Sequence, residues 1–209
     1  MNICLFAGTF NPIHNAHLKM AQFVLDNFGF DKILFIPAYK PPHKDYAPDM
    51  SNHRLKMVQI AIKNNPKFEV SDIEFKREGK SYTYLTIQEL YKKYYNKEIA
   101  QQVYNDGLLT TYDKFNFIIG TDAFKKIETW YETDKLKKLV DFIVFIRENE
   151  TINLDYLKEK GYNFKFAEMD FFDISSTNLR NRIKNQQPIE SFVPKEVEDY
   201  IYKNGLYGN

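Results

Sequence analysis

The sequence predicts an α/β fold, and three observations carry that prediction. Several short runs are apolar throughout, which is typical of strands buried on both faces of a parallel sheet. The stretches between them repeat apolar residues at helical spacing. The two kinds of segment alternate along the chain, which indicates helices on both faces of the sheet. We therefore predict one Rossmann-like, doubly wound domain that spans residues 1–209.

The first half of the chain supplies three predicted strands and three predicted helices. The first strand ends at Gly8, and Pro37 stops the second. A proline-rich loop then leads into a helix that Ser51 or Asn52 can cap. In chain order we predict a strand at 3–7, a helix with apolar residues from 18 to 28, a strand at 32–36, a helix from 51 or 52, a strand at 68–73 and a helix at 83–95.

The second half continues the alternation after a break. Residues 96–114 carry no sustained period, so we expect an insertion or flap there. Residues 175–209 are expected to form a small C-terminal helical part, whose last helix starts at Pro194 and stops at Gly205. The other predicted elements are strands at 115–119, 142–146 and 164–166, a helical stretch at 122–139 and a helix from 176.

Composition excludes some function classes. The 209 residues include 29 basic and 28 acidic side chains, and the net charge of +1 creates no global field for nucleic acid or an anionic membrane. Any anionic ligand must then be held by local groups. Cys4 is the single cysteine, so no internal disulfide can form, and no apolar stretch approaches the ~20 residues that span a membrane. We expect a cytoplasmic protein, and the oligomeric state stays open, with a homo-oligomer among the options.

The stretch GTFNPIHNAH, residues 8–17, is the first motif that carries chemistry. Gly8 permits a tight turn, and the helix start after it offers unpaired N–H groups and the positive end of a dipole. His14 and His17 are three residues apart and so lie on neighbouring positions of one turn. Together these groups suit phosphate oxygens, although neither common phosphate-loop pattern is present. The alternative is a pair of surface histidines after a turn.

The stretch ISSTNLR, residues 174–180, is the second such motif. Ser175, Ser176 and Thr177 supply hydroxyl and N–H groups at a helix start, and Arg180 adds a forked cation one turn later. Such a set can hold phosphate. It is also what an ordinary serine N-cap with a solvated arginine looks like.

Taken together, these motifs resemble those of the nucleotidylyltransferase superfamily. GTFNPIHNAH is similar to GTFDPIHxGH, the bacterial form of the (T/H)xGH signature, with Asn11 in place of Asp and Ala16 in place of Gly. ISSTNLR is similar to ISSTxIR. Further blocks resemble the bacterial nicotinate-nucleotide adenylyltransferases, and the resemblance covers nearly the whole chain except residues 96–114. These blocks are PAYKPPHK, SYT at 81–83, FIIGTDAF at 117–124, WY at 130–131, FIR at 145–147 and the closing VPxxVxxYIxxxGLY.

The resemblance implies a site residue by residue. It makes His14, His17 and Arg180 the catalytic residues. The groups that it assigns to ATP are Gly8, Thr9, Phe10, His14, His17, Gly120, Asp122, Ser175, Ser176, Thr177 and Arg180. Those that it assigns to nicotinate mononucleotide are Lys44, Thr83, Trp130, Tyr131 and Arg147. For single residues the plainer alternatives are a core tryptophan at 130, a solvated lysine at 44 and a helix N-cap at 122.

The same resemblance implies transfer of AMP from ATP to nicotinate mononucleotide, with Mg²⁺ carried by ATP rather than held by protein ligands. One rival is the same fold acting on nicotinamide mononucleotide or phosphopantetheine. A second is a nucleotide sensor without catalysis. A zinc site that joins His43 to His14 and His17 is disfavoured, because the three lack a carboxylate partner or a thiolate pair.

Overall fold

Six parallel strands form one sheet in the computed structural model, which describes residues 2–42, 48–95, 114–146, 154–169 and 174–208. Their spatial order is β3-β2-β1-β4-β5-β6, so the order reverses between the two central strands. This is the doubly wound arrangement that the sequence predicted, and ligands of such sheets bind at the carboxyl ends of the strands at this reversal. The strands are β1 (Ile3–Gly8), β2 (Lys32–Pro37), β3 (Phe68–Val70), β4 (Phe115–Gly120), β5 (Val140–Phe145) and β6 (Phe164–Ala167).

Helices cover both faces of the sheet and bury a separate apolar cluster on each. Along β1, Cys4 and Phe6 face one cluster, whereas Ile3 and Leu5 face the other. The first cluster takes in α1 (Asn15–Phe28), α2 (Pro48–Ile62), α7 (Ser176–Lys184) and α8 (Lys195–Lys203). The second takes in α3 (Thr83–Tyr94), α4 (Thr121–Phe124), α5 (Thr133–Leu139) and α6 (Asp155–Glu159).

Three predicted elements differ from the structure. The third strand ends at Val70 instead of residue 73, and a 3₁₀ turn at Ile73–Phe75 follows, which carries Glu74 into the protein. The second helix begins at Pro48, because proline needs no hydrogen bond for an N–H in a first turn. The predicted helical stretch 122–139 is divided into α4, a 3₁₀ turn at Ile127–Thr129 and α5, with Glu132 in the left-handed region at φ 53°.

The remaining boundaries agree to within a residue or two. Pro194 caps α8 instead of starting it, and Gly205 follows that helix with a φ of 61°. The short helix α6 was not predicted from the sequence. Nearly all of the expected insertion at 96–114 lies outside the described residues, so its character stays a prediction.

Candidate active site

The loop between β1 and α1, residues 9–14, is named here the signature loop. It begins after Gly8, where a Cβ atom would lie 3.0 Å from the ring of Phe10, so only glycine fits without displacing that ring. Phe10 takes a φ of 46° and buries its ring against Phe6, with the ring centroids 5.4 Å apart. The side chain of Phe10 is therefore an anchor in the core. Only its backbone can serve the predicted contact with ATP phosphates.

The two predicted histidines lie side by side at the start of α1. Their rings stack with centroids 3.7 Å apart, and the backbone N–H of His14 donates to Nδ1 of His17 at 3.3 Å. Nδ1 of His17 is thus the acceptor, which leaves Nε2 to carry the proton of the neutral ring. His14 is buried, and no described residue forms a hydrogen bond with its Nδ1. A buried polar atom with free bonding capacity at a helix start is a feature that a ligand can complete.

Burial sets the charge of both imidazoles. It lowers the pKa of His14 to about 4. The pKa of His17 is held well below 6.5, first by burial and then by the neighbouring His14. Both rings are therefore neutral at pH 7 and act as hydrogen-bonding groups, not as fixed cations. An anion placed beside them raises both pKa values, since it favours the charged form.

The second motif packs directly against the signature loop. Arg180, on α7, donates from Nη1 to the carbonyl of Asn11 at 2.9 Å and from Nη2 to Oγ1 of Thr177 at 3.1 Å. The hydroxyl of Ser176 donates to the carbonyl of Pro12 at 3.0 Å. Ser175 is the N-cap, and its Oγ accepts from the N–H of Asn178 at 3.1 Å. The two blocks that the sequence singled out thus form one structure, with the histidines on one element and the serine-rich helix start on another.

Two residues to which the sequence analysis gave no role in the site also hold this loop. The buried guanidinium of Arg54 donates to the carbonyl of Thr9 at 2.8 Å. The hydroxyl of Tyr207 donates to Oδ1 of Asn11 at 2.6 Å. For Arg54 a signal was available, because it lies four residues before the apolar Val58 on the helix face that meets the core. For Tyr207 no spacing rule connects residues at opposite ends of the chain.

A cavity of about 680 Å³ opens at the carboxyl ends of the strands, beside the signature loop. This volume suits a small-molecule ligand. Among the residues predicted for the site, those that line it are Gly8, Thr9, Thr83, Gly120, Asp122, Trp130 and Tyr131. Gly120 and Asp122, which the resemblance assigns to ATP, therefore border the same cavity as the three residues that it assigns to the acceptor.

Aromatic rings form one wall of this cavity. Trp130 is only partly buried, and its ring packs edge-on against Phe117 with the ring centroids 6.2 Å apart. The contact fixes the indole ring while part of the side chain stays accessible. Tyr131 is 47% exposed and stacks on Tyr82 at 4.5 Å. A flat ring that enters the cavity can pack against this wall.

The cavity lining also includes a buried carboxylate that the sequence analysis missed. Glu74 accepts from the hydroxyl of Thr86 at 2.7 Å and from the N–H of Tyr39 at 3.3 Å. Burial raises the pKa of Glu74, and its hydrogen bonds with Ser81 and Thr86 counter that rise. Lys126 is the one cationic side chain that the described residues contribute to the cavity lining.

Some residues predicted for the site do not line the cavity, and others fall outside the residues that the structure describes. His14, His17 and the α7 residues are not in the lining of the cavity but pack behind the signature loop. Lys44, Arg147 and the alternative zinc ligand His43 fall outside the described residues. Within the described ranges, no group of three His, Cys, Asp or Glu side chains is placed to hold a metal ion. No helix there has the length and apolarity to cross a membrane.

Comparison with known proteins places this architecture in a class. The cytidylyltransferase-like family model matches residues 5–182, which makes the chain a nucleotidyltransferase of that class. A Plasmodium falciparum nicotinic acid mononucleotide adenylyltransferase, solved as a complex with NaAD, has the same fold, with a TM-score of 0.74 at 23% identity over 99% of this chain and 97% of that one.

Closer relatives by sequence define the family. The nicotinate-nucleotide adenylyltransferase of Bacillus subtilis (strain 168) is 38% identical over 208 residues, which cover 98% of this chain and 97% of the relative. A probable nicotinate-nucleotide adenylyltransferase of Staphylococcus haemolyticus is also 38% identical, over 99% of this chain and 97% of its own. The chain belongs to the nicotinate-nucleotide adenylyltransferase family.

Proposed function

We propose that the protein transfers AMP from ATP to nicotinate mononucleotide, with deamido-NAD and pyrophosphate as products. A phosphate oxygen of the mononucleotide attacks the α-phosphorus of ATP and forms a new P–O bond. The bond from the α-phosphorus to the bridging oxygen breaks, and pyrophosphate leaves with the electron pair. The attacking oxygen is already anionic, so the step requires no general base. Catalysis then depends on aligning two anions and stabilising the shifting charge.

One observation carries the proposal: the signature loop joins the histidine pair to the cavity. Gly8 and Thr9 line the cavity at one end of this stretch, and His14 is the N-cap residue of α1 at the other. An ATP triphosphate at the helix start would therefore lie within one loop of a mononucleotide in the cavity. The positive end of the α1 dipole favours phosphate at that position.

We assign ATP to the side of the loop where the two motifs meet. Neutral His14 and His17 donate hydrogen bonds to phosphoryl oxygens and gain protons as negative charge approaches. The guanidinium of Arg180 already donates one hydrogen bond to the Asn11 carbonyl. In this assignment its remaining N–H groups face the phosphates. Mg²⁺ arrives with ATP as part of the substrate, held chiefly by phosphate and water oxygens. This fits a site whose described residues offer imidazoles and hydroxyls instead of a carboxylate cage.

We assign nicotinate mononucleotide to the cavity. Its pyridine ring packs against Trp130, and its carboxylate accepts hydrogen bonds from the Thr83 hydroxyl and from the backbone near Tyr131. A carboxylate only accepts hydrogen bonds, so donors suit it better than they suit a carboxamide. Lys126 adds positive charge to the same lining. Lys44 and Arg147 remain proposed contacts for the mononucleotide phosphate.

An acceptor screen tests the proposal. Pyrophosphate release is measured with ATP and Mg²⁺ against nicotinate mononucleotide, nicotinamide mononucleotide and phosphopantetheine, and His17→Ala serves as the catalytically impaired control. Release that depends on nicotinate mononucleotide supports the proposal. Release with another acceptor alone contradicts the substrate assignment. ATP binding without release from any acceptor indicates a nucleotide sensor instead.

A cytoplasmic site of action and small-molecule partners, without nucleic acid or membrane, complete the proposal. The near-neutral charge supports it, and so does the full burial of Cys4, the single cysteine. Self-association is compatible with it, and sedimentation of the purified protein measures that directly.

A further inference from the structure

Arg54 connects the two neighbouring loops that follow β1 and β2, whose backbones also meet where the N–H of Ala38 donates to the carbonyl of Gly8 at 2.9 Å. From α2 its Nη1 donates to the carbonyl of Thr9, in the signature loop, and to the carbonyl of Ala38. Its Nη2 donates to the carbonyl of Tyr39 at 3.2 Å and to Oγ of Ser51 at 2.8 Å. We name residues 38–42, which follow β2, the acceptor loop. One buried side chain thus holds the backbones of both loops.

Ser51 fixes the orientation of this guanidinium. It is fully buried, and its hydroxyl donates to the carbonyl of Tyr39 at 2.7 Å while it accepts from Arg54. The planar fork of arginine can reach several carbonyls at once, whereas a lysine ammonium is a single point of contact. The arrangement therefore depends on the shape of the side chain and not on its charge alone.

The connection continues from the acceptor loop to Glu74 and Ser81, which also line the cavity. The N–H of Tyr39 donates to Glu74 at 3.3 Å. Lys40 and Ser81 exchange two hydrogen bonds, from the N–H of Lys40 to Oγ of Ser81 and from the N–H of Ser81 to the carbonyl of Lys40, both at 2.9 Å. Ser81 lies two residues before Thr83, the predicted contact of the acceptor carboxylate. A continuous set of polar contacts therefore runs from the ATP side of the site to the acceptor side.

We infer that Arg54 is a positioning residue that sets the spacing between the ATP phosphates and the acceptor phosphate. The inference rests on the proposed function. Arg54 is not among the described residues that line the cavity, so it acts through Thr9 and Ala38, which both do. A shift of about 1 Å between two reactants costs on the order of a hundredfold in rate. A flexible connection would allow each substrate to bind but would misalign the pair.

The test separates spacing from binding. Arg54→Lys and Ser51→Ala are compared with Arg182→Met. Arg182 lies on α7, donates to the carbonyl of Pro188 and is not among the residues that line the cavity. We expect kcat to fall about 10- to 100-fold in Arg54→Lys, because alignment is lost. The Kd of ATP and that of nicotinate mononucleotide, each measured alone by calorimetry, should change less than about threefold, because neither contacts Arg54 directly.

The decisive readout is the affinity for deamido-NAD. This product joins both halves covalently, so its binding depends on the spacing between the two subsites in a way that the separate ligands do not. We expect its affinity to fall about tenfold in Arg54→Lys, less in Ser51→Ala, and not at all in Arg182→Met. Parallel losses for all three ligands, or unchanged kcat in a cooperatively unfolding Arg54→Lys, would overturn the inference.

Two further results separate a failure of the Arg54 inference from a failure to fold and from a failure of the proposed function. If Arg54→Lys fails to fold, Ser51→Ala decides the question, because it removes the orienting hydroxyl and leaves the arginine in place. Absence of pyrophosphate release from the unmodified protein with every acceptor overturns the proposed function itself. Normal release from the unmodified protein, together with unaltered product affinity in both variants, overturns only the role of Arg54.

Discussion

The hydroxyl of Tyr207, near the end of the chain, lies 2.6 Å from Oδ1 of Asn11 in the signature loop. Tyr207 takes a φ of 65°. Burial raises the pKa of its hydroxyl well above the usual value, and the charges of Arg54 and Arg180 offset only part of that rise. The hydroxyl is thus a neutral donor at physiological pH. Asn11 is also the residue that departs from the Asp of the GTFDPIHxGH signature, and either side chain offers an oxygen to this hydroxyl.

The first prediction concerns this contact. Tyr207→Phe keeps the ring and removes the donor, so the free energy of unfolding should fall by about 1 kcal/mol. Combined with Asn11→Ala in a double-mutant cycle, it should show a coupling energy of about 1 kcal/mol in urea unfolding. Asn11→Asp should preserve the contact and the turnover. Strictly additive effects of the two substitutions would show that the hydrogen bond contributes nothing.

The second prediction follows from the depressed pKa of His14. A histidine that is neutral when folded and has a pKa near 6.5 when unfolded stabilises the protein fully above pH 6.5. That contribution is lost as the pH falls toward about 4. The loss over this window amounts to about 3 kcal/mol. Between pH 7.5 and pH 5 the free energy of urea unfolding should fall by about 2 kcal/mol of this amount. In His14→Gln, where residue 14 does not titrate, the difference between the two pH values should be smaller.

Identical pH dependence in the unmodified protein and in His14→Gln would contradict the assignment of this effect to His14. His17→Gln provides a companion, since burial and His14 also lower the pKa of His17. If both variants retain the full pH dependence, groups away from the histidine pair are responsible.

The third prediction separates catalysis from binding at His17. His17→Ala should lower kcat by about 10²- to 10³-fold while it weakens ATP binding far less, because the contact with phosphoryl oxygen strengthens as charge develops. Steady-state kinetics and calorimetry with ATP measure the two effects. A folded His17→Ala protein with unchanged kcat would remove this residue from the mechanism.

The fourth prediction concerns the fork of Arg180. Its two contacts, to the Asn11 carbonyl and to Thr177, use different nitrogens of one plane. Arg180→Lys keeps the charge but cannot make both contacts, so turnover should fall about tenfold at saturating ATP. Arg182→Lys, two residues along the same helix, is the matched control and should leave turnover intact. Full activity in Arg180→Lys would mean that charge alone matters.

Much of the fold could be predicted from the sequence because its determinants are local. Uninterrupted apolar runs such as Ile3–Gly8 leave no exposed face and so require a sheet covered on both sides. The break at Glu132 could not be predicted, because a left-handed residue other than glycine is imposed by packing and not by propensity. The predicted length of the edge strand β3 was too great for a similar reason. The chain turns after Val70, and the Glu74 side chain is buried in hydrogen bonds with Tyr39 and Thr86, which are distant in sequence.

The site shows the same division between local and distant determinants. The histidine pair and the serine-rich helix start are contiguous motifs, and their residue types alone suggest phosphate chemistry. Arg54 and Tyr207 act by reaching carbonyl and amide oxygens more than 40 residues away. The place of Arg54 on the core-facing side of its helix could have singled it out as buried. A single sequence, however, contains no signal for which distant oxygens Arg54 or Tyr207 contacts.

The choice between the two pyridine acceptors tests the central claim most directly. Nicotinate and nicotinamide mononucleotides differ only in carboxylate against carboxamide, and a donor left unpaired in the cavity costs about 1–3 kcal/mol, or roughly one to two decades in kcat/KM. Trp130→Ala should weaken both acceptors and keep the preference, whereas Thr83→Ala should narrow the gap between them. The measurement is kcat/KM of the unmodified enzyme for each acceptor. We predict a value for nicotinate mononucleotide at least about tenfold higher, and equal values or a preference for the amide would contradict the account.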